Sequence, residues 1–411
     1  MKKTKVYLSI LAIVLILSFI AIVSSQEITS DPQSMPLWLK RGMNIFNLNK
    51  GNVGIGTQEP AQKLEVNGGI RINPEEIRPE CAEKISGTLW VNEQELGNSL
   101  EFCKKLTERE GEQLIIKSSR LPNRDYSFSC VDSSATNKIY CFGGADGRQR
   151  ILEYNPTEDI VIQRTLIPSA IEGLSCTESS INNKIYCFGG YRNGYTNQIF
   201  SYDAETDSIS IEPAVLPQAA GYLSCVSSST TNKIYCFGGN DGNRLNQIIE
   251  YNPLSNDISI KNAMLPSPRN SLSCAEGENN KIYCFGGGDN NGYLDEIMEY
   301  DPETDYMIGK SARLPSPRYG LSCVKGEIPN TIQCFGGYLV DQIIEYNYIT
   351  DSLTLRSVNL PTPLYYLSCA SSSANYRSYC FGGLDESSSS DRITEYFIGT
   401  GSSIYRWTKV A

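Results

Sequence analysis

Residues 223–239 read Leu223-Ser-Cys-Val-Ser-Ser-Ser-Thr-Thr-Asn-Lys-Ile-Tyr-Cys-Phe-Gly-Gly239. A short apolar start, a Ser/Thr/Asn run and an apolar-aromatic segment closed by two glycines describe two strands and the turn between them. Continuing outward, the chain gives a polar loop, an apolar strand ending in Glu250-Tyr251, a turn such as Asp301-Pro302-Glu303-Thr304, a fourth strand and a Leu-Pro boundary. The phenylalanine before the double glycine recurs at Phe142, Phe188, Phe237, Phe285, Phe335 and Phe381, a period of 46 to 50 residues. Four strand-like segments repeated at that period predict the blades of a β-propeller, six in number. Two consecutive glycines fit a strand end where backbone approaches backbone or φ turns positive.

The cysteines follow the same period. They pair in sequence as Cys130 with Cys141, Cys176 with Cys187, Cys225 with Cys236, Cys274 with Cys284, Cys323 with Cys334 and Cys369 with Cys380, preceded by Cys81 with Cys103. Each of the six repeated pairs flanks a hairpin turn, so antiparallel pairing can set the two residues opposite each other and close a disulfide. Zinc is a poor fit, because each repeat offers two cysteines and the chain has no histidine.

The repeat resembles the kelch family, whose blades carry an aromatic strand ending in Gly-Gly, a Tyr-Asp-Pro-Glu-Thr-like turn (here Tyr300–Thr304) and a Leu-Pro-x-Pro-Arg-like boundary (here Leu265–Arg269 and Leu314–Arg318). The resemblance covers roughly residues 112 to 411 and implies an all-β, six-bladed kelch-type propeller. One departure is consistent. The tryptophan that kelch blades place after the Asp-Pro turn is replaced by Val161, Ile209, Ile258, Met307 and Leu353, so packing between blades must differ there.

The N-terminus carries Lys2, Lys3 and Lys5, an apolar run from Val6 to Val23, then Ser24, Ser25 and Gln26. That is an export signal, either cleaved before Gln26 or retained as a membrane anchor, since the run is just long enough to span a bilayer. The body of the chain is therefore expected outside the cytoplasm, secreted or held at the membrane by this helix, where cysteines oxidise. The net charge of -10 becomes -13 without the leader, 33 basic residues then facing 46 acidic ones, which disfavours nucleic acid as a partner.

The expected organisation is a signal or anchor at 1–25, a spacer at 26–50, a small β segment at 51–110 with a Cys81–Cys103 hairpin, and the propeller at 111–411. Gly51-Asn-Val-Gly-Ile-Gly-Thr57, with Ala61–Gly68 behind it, resembles a short motif of phage tail-fibre-like and bacterial surface proteins. That resemblance implies a trimeric stalk. Two segments look like a blade's fourth strand, Gln113–Lys117 and Ile404–Val410, so both termini offer to close the ring and one of them must lie outside it.

The absence of histidine removes the commonest general base, Ser-His-Asp chemistry and copper or catalytic-zinc sites. No paired carboxylates stand out, so no catalytic residue, metal or cofactor is expected, and Asp289–Gly292 with Asp295 reads as a turn lacking a calcium loop's full ligand series. Kelch propellers bind on the face formed by the post-glycine loops and the blade boundaries. The resemblance therefore nominates Arg124, Asp125, Tyr126, Arg269, Asn270, Arg318, Tyr319, Tyr365 and Tyr366 from boundaries, and Arg192, Asn240, Asp241, Asp289 and Tyr338 from post-glycine loops. Blades two, three and six lack the boundary arginine, so a symmetric arginine ring is not expected. Arginine forks and tyrosine faces suit carboxylates, sugars and peptide backbones. The leading expectation is a non-enzymatic module that binds a protein or a glycan; the rivals are a mutarotase-like carbohydrate-active enzyme on the same face and a structural surface component.

Overall fold

The computed structural model describes residues 111–145 and 147–399 in full, and beyond them the backbone of the strands Trp38–Arg41, Asn44–Asn47, Val53–Ile55, Leu64–Val66, Leu89–Asn92, Ser99–Thr107 and Ser403–Lys409. The chain divides into two compact units, Gly111–Gly399 and Met1–Glu110 with Thr400–Ala411.

The larger unit is a six-bladed propeller of four-stranded antiparallel sheets. Blade one runs from the channel outward as Phe128–Ser133, Lys138–Gly143, Ile151–Asn155 and Ile160–Gln163. Blades two to five repeat it from Ser175–Glu178 to Ser208–Val215, Ser224–Ser228 to Ile258–Met264, Ser273–Glu276 to Tyr306–Arg313, and Ser322–Lys325 to Ser352–Asn359. Blade six takes Ser368–Ser371, Ser378–Phe381 and Ser390–Gly399 from the C-terminal end and borrows Gly111–Asp125 as its outermost strand, with Tyr396 opposite Leu114. Ring closure thus falls to the N-terminal candidate. The other, Ser403–Lys409, pairs with Ser99–Thr107 in a three-stranded sheet with Leu89–Asn92, so the propeller ends at Gly399 and not at the expected 411.

Strand character follows position. The second strands, such as Ile185-Tyr-Cys-Phe188, are buried throughout because neighbouring blades cover both faces. The outermost strands, such as Ser208–Val215, alternate exposed and half-buried residues because only one face meets a blade. All six cysteine pairs of the propeller are disulfides between directly opposed residues, with Cα–Cα distances of 4.0 to 4.1 Å. Each packs against the aromatic second strand of the blade before it; Cys225 and Cys236, for example, lie among Tyr186 and Phe188. The Cys81–Cys103 pairing and the leader lie outside the described residues.

The missing tryptophan has a substitute. At every blade interface the Phe before Gly-Gly meets the Tyr of the next blade's Glu-Tyr-like strand edge to face, with centroids 5.5 to 5.7 Å apart; Phe188–Tyr251 and Phe335–Tyr396 are two of the six. Such pairs contribute about 0.5–1.5 kcal/mol each beyond their buried area.

Three closed circles of hydrogen bonds tie blade to blade. The second glycine of each pair donates its N–H to the next blade's boundary carbonyl, as Gly239 does to Arg269 at 2.9 Å. Side chains are excluded there: a Cβ on Gly238 would sit 2.4 Å from that same carbonyl oxygen. Nearer the axis, each Leu-Ser-Cys-like triplet contributes a serine whose Oγ accepts the next blade's cysteine N–H. Ser129, Ser175, Ser224, Ser273, Ser322 and Ser368 receive Cys176, Cys225, Cys274, Cys323, Cys369 and Cys130 at 2.8 to 2.9 Å. The third circle forms the mouth of the channel.

Candidate functional site

The mouth is built by the residue just before each Leu-Ser-Cys-like triplet: Ser127, Gly173, Tyr222, Ser271, Gly320 and Tyr366. Each donates its N–H to the carbonyl of the preceding blade's residue, at 2.6 to 3.0 Å, and all six hold φ between 53° and 64°. Left-handed backbone at four non-glycine residues is costly and persists because the ring of amides enforces it. Below the mouth lies a channel cavity of ≈ 180 Å³ walled by these residues and the six Ser-Cys pairs.

One residue further out, Tyr126, Glu172, Gly221, Asn270, Tyr319 and Tyr365 are bonded through their backbones to the residue after each Gly-Gly: Ala145, Tyr191, Asn240, Gly288, Tyr338 and Leu384. Boundary and post-glycine loops therefore form one surface. Seven tyrosines run across it without a break. Tyr293 stacks on Tyr319 at 4.3 Å; Tyr319 touches Tyr338, Tyr365 and Tyr366 at 5.5 to 5.8 Å; Tyr338 meets Tyr365 at 5.2 Å. Tyr366 extends the run to Tyr222 at 5.9 Å and Tyr126 at 6.5 Å. Beside Tyr365 a cleft of ≈ 300 Å³ is lined by Leu339, Thr362, Pro363, Asp385, Glu386 and Ser387.

The structure brings together five of the nominated residues, Tyr126, Tyr319, Tyr338, Tyr365 and Tyr366. It removes three from the surface. Arg269 and Arg318 are fully buried, and Asp125 is 1% exposed. Arg269 donates to Glu296 at 2.6 Å, and Arg318 to the Gly336 carbonyl at 3.1 Å and Gln342 at 3.2 Å. Burial pushes the Arg318 guanidinium down to about 10. Asp125 accepts from Arg150 at 2.6 Å, the Arg269–Glu296 arrangement with its charges exchanged. Asp125 therefore occupies the boundary-arginine position, and Arg124, which was aligned there, is exposed instead. Blades two, three and six fill the position with buried Ile171, Ala220 and Leu364, so it is a packing position.

The other polar candidates are held by their own loops or their neighbours. Asn240, Asp241 and Asp289 each accept backbone N–H groups two or three residues on, and Asn270 is bridged to Gly288. Arg192 donates to the Gly147 carbonyl. Asp289 thus caps a tight turn, and among the described residues no group of acidic, Cys or His side chains could hold a metal. Sequence reasoning missed Tyr222, Tyr293 and Glu172. Tyr222 had a signal, since it precedes Leu-Ser-Cys just as Tyr366 does.

A family model described as the KLHDC2/KLHL20/DRC7 Kelch-repeats domain matches residues 173–311, from the mouth of blade two to the outer strand of blade four. The match spans about a third of the chain, and together with the six-bladed ring it supports a propeller built of kelch repeats. No curated protein matches it. Kelch propellers typically serve as non-enzymatic binding modules, and kelch domains generally mediate protein interactions. Six disulfides in one kelch ring suggest an oxidising environment. Among the described residues no helix is long and apolar enough to cross a membrane.

Proposed function

We propose that this kelch propeller works outside the cytoplasm as a protein-binding disc, and that its partner docks on the run of tyrosines across the loop face. The observation that carries the reading is the unbroken run of tyrosines from Tyr293 to Tyr126 across the loop face. Tyrosine offers a rigid apolar ring and a polar tip at low entropic cost, the combination that recurs in protein-binding surfaces. The export signal and the six disulfides support the compartment. A glycan could stack on the same rings. Membrane attachment through Val6–Val23 and trimerisation through the segment around Gly51–Thr57 rest on sequence alone.

The test is affinity capture from envelope extracts with the immobilised full chain, followed by direct binding to the purified partner. Y319A/Y338A should lower affinity at least tenfold, whereas R318L, which copies Leu364 in a buried wall, should leave it within twofold. Affinity unchanged by Y319A/Y338A overturns the reading, and loss of binding in a folded R318L protein would return the arginine to the site. Capture abolished by glycosidase treatment of the partner would identify a glycan instead.

A further inference from the structure

Glu172 is the one carboxylate among the residues that adjoin the mouth ring. Its backbone is fixed by a two-way bridge to Tyr191, at 3.2 and 2.8 Å, which sets its side chain half-buried beside the channel. Three tyrosines register its charge. The phenols of Tyr126, Tyr222 and Tyr366 are raised first by burial and also by the charge of the Glu172 carboxylate. Those same rings form a chain, Tyr126 to Tyr366 to Tyr222, with centroids 6.5 and 5.9 Å apart. Gly173 makes the arrangement possible: a Cβ there would lie 2.8 Å from the Tyr222 ring. Among the described residues no lysine or arginine forms a salt bridge with Glu172.

This chemistry selects its ligand. The faces of aromatic rings carry the negative lobe of the ring quadrupole and attract organic cations, more strongly as the site is desolvated. A half-buried carboxylate without a counter-ion adds a full charge and accepts hydrogen bonds from an ammonium or guanidinium. An anion would be repelled. A hard metal ion wants several oxygen ligands, and one carboxylate among phenols does not supply them. The acidic balance of the whole chain draws cations towards it as well.

We propose that Glu172, Tyr126, Tyr222 and Tyr366 form a cation-binding seat at the channel mouth that holds the lysine or arginine side chain of the docked protein. The inference rests on the reading that the tyrosine face docks a protein, and narrows the partner to one with a basic residue at the centre of its footprint.

The test titrates the purified full chain with N-acetyl-lysine amide and N-acetyl-arginine amide against the neutral N-acetyl-norleucine amide, and with choline against its carbon isostere 3,3-dimethylbutan-1-ol, by calorimetry. The cations should bind at least tenfold tighter than their neutral counterparts. E172Q keeps the size of the side chain and should lose that preference, with an unchanged melting temperature confirming the fold. E172Q should also weaken capture of the protein partner at least tenfold. Equal binding of cation and neutral isostere, or an E172Q protein that still prefers cations, overturns the seat. If capture still depends on Tyr319 and Tyr338 in that case, the docking surface stands without it. A Glu172-dependent preference for cations together with unimpaired capture by E172Q also overturns the proposal, since the ligand would then be a free amine.

Discussion

Removing the disulfide of blade three, as C225A/C236A, should cost about 4 kcal/mol. The bond closes a loop with a sequence separation of 11 residues. Constraining an unfolded loop of that size is worth about 2.8 kcal/mol at 25 °C in the chain-entropy model. The remainder comes from packing. Cys225 and Cys236 are 6% and 2% exposed and fill the interface beside Tyr186 and Phe188, so deleting two sulfurs leaves a small cavity worth about 1–2 kcal/mol. Six such loop constraints sum to about 17 kcal/mol. That exceeds the roughly 5–15 kcal/mol by which domains are usually stable, and full reduction should unfold the ring. Guanidinium unfolding of the variant against the parent, with and without reductant, measures both effects; non-reducing peptide mapping checks the connectivity. A loss below about 1 kcal/mol for C225A/C236A, or a reduced propeller that stays cooperatively folded, would refute the reasoning.

The serine circle makes a second prediction: Ser224→Ala removes the acceptor for the Cys274 N–H and should cost about 1–3 kcal/mol in thermal unfolding, the penalty for a buried donor left unpaired. A loss under about 0.5 kcal/mol would mean that water replaces the hydroxyl. A third concerns pH. Burial pushes the Asp132 carboxyl up to about 6, above its unfolded value near 3.8, so its penalty is full above pH 6 and is relieved as pH falls from 6 towards 4. Burial also raises Glu395, Glu153 and Glu250, but Lys117 and Arg377, Lys138 and Arg164, and Lys233 and Lys261 respectively outweigh it and hold them below the ordinary 4.5. Their contribution is present above that value and is lost as pH falls through the folded values. Stability should therefore rise from pH 7 to 5 and fall below about pH 4, and Asp132→Asn should flatten the rise; equal slopes for parent and variant between pH 7 and 5 would sink this account.

Much of the architecture was legible because it repeats. A Phe-Gly-Gly at a 46-to-50-residue period, cysteines on either side of one turn, and a Glu-Tyr before an Asn/Asp turn leave little choice of fold, since each blade must solve the same packing problem. Ring closure was legible in part. Every outermost strand leads into a Leu-Pro boundary or, in blade one, Ile167-Pro168, and of the two candidates only Gln113–Lys117 is followed by one, Leu121-Pro122. The site was harder to read. Arg269 and Arg318 look like ligand forks in sequence, but Glu296, Gln342 and the Gly336 carbonyl lie in wait behind them, and those partners come from 18 to 27 residues further along the chain.

The sequence by itself determined the blade, its staples and the number of copies, because these depend on local spacing: period-two alternation, turn chemistry and cysteines set opposite each other by one hairpin. Only the tertiary structure decided which side chains come together on the loop face. The seven tyrosines come from all blades except the second, where Glu172 joins them instead, and they meet only when six boundaries converge on one axis and close their amides into a ring. That convergence is a property of closure, and no single repeat contains it.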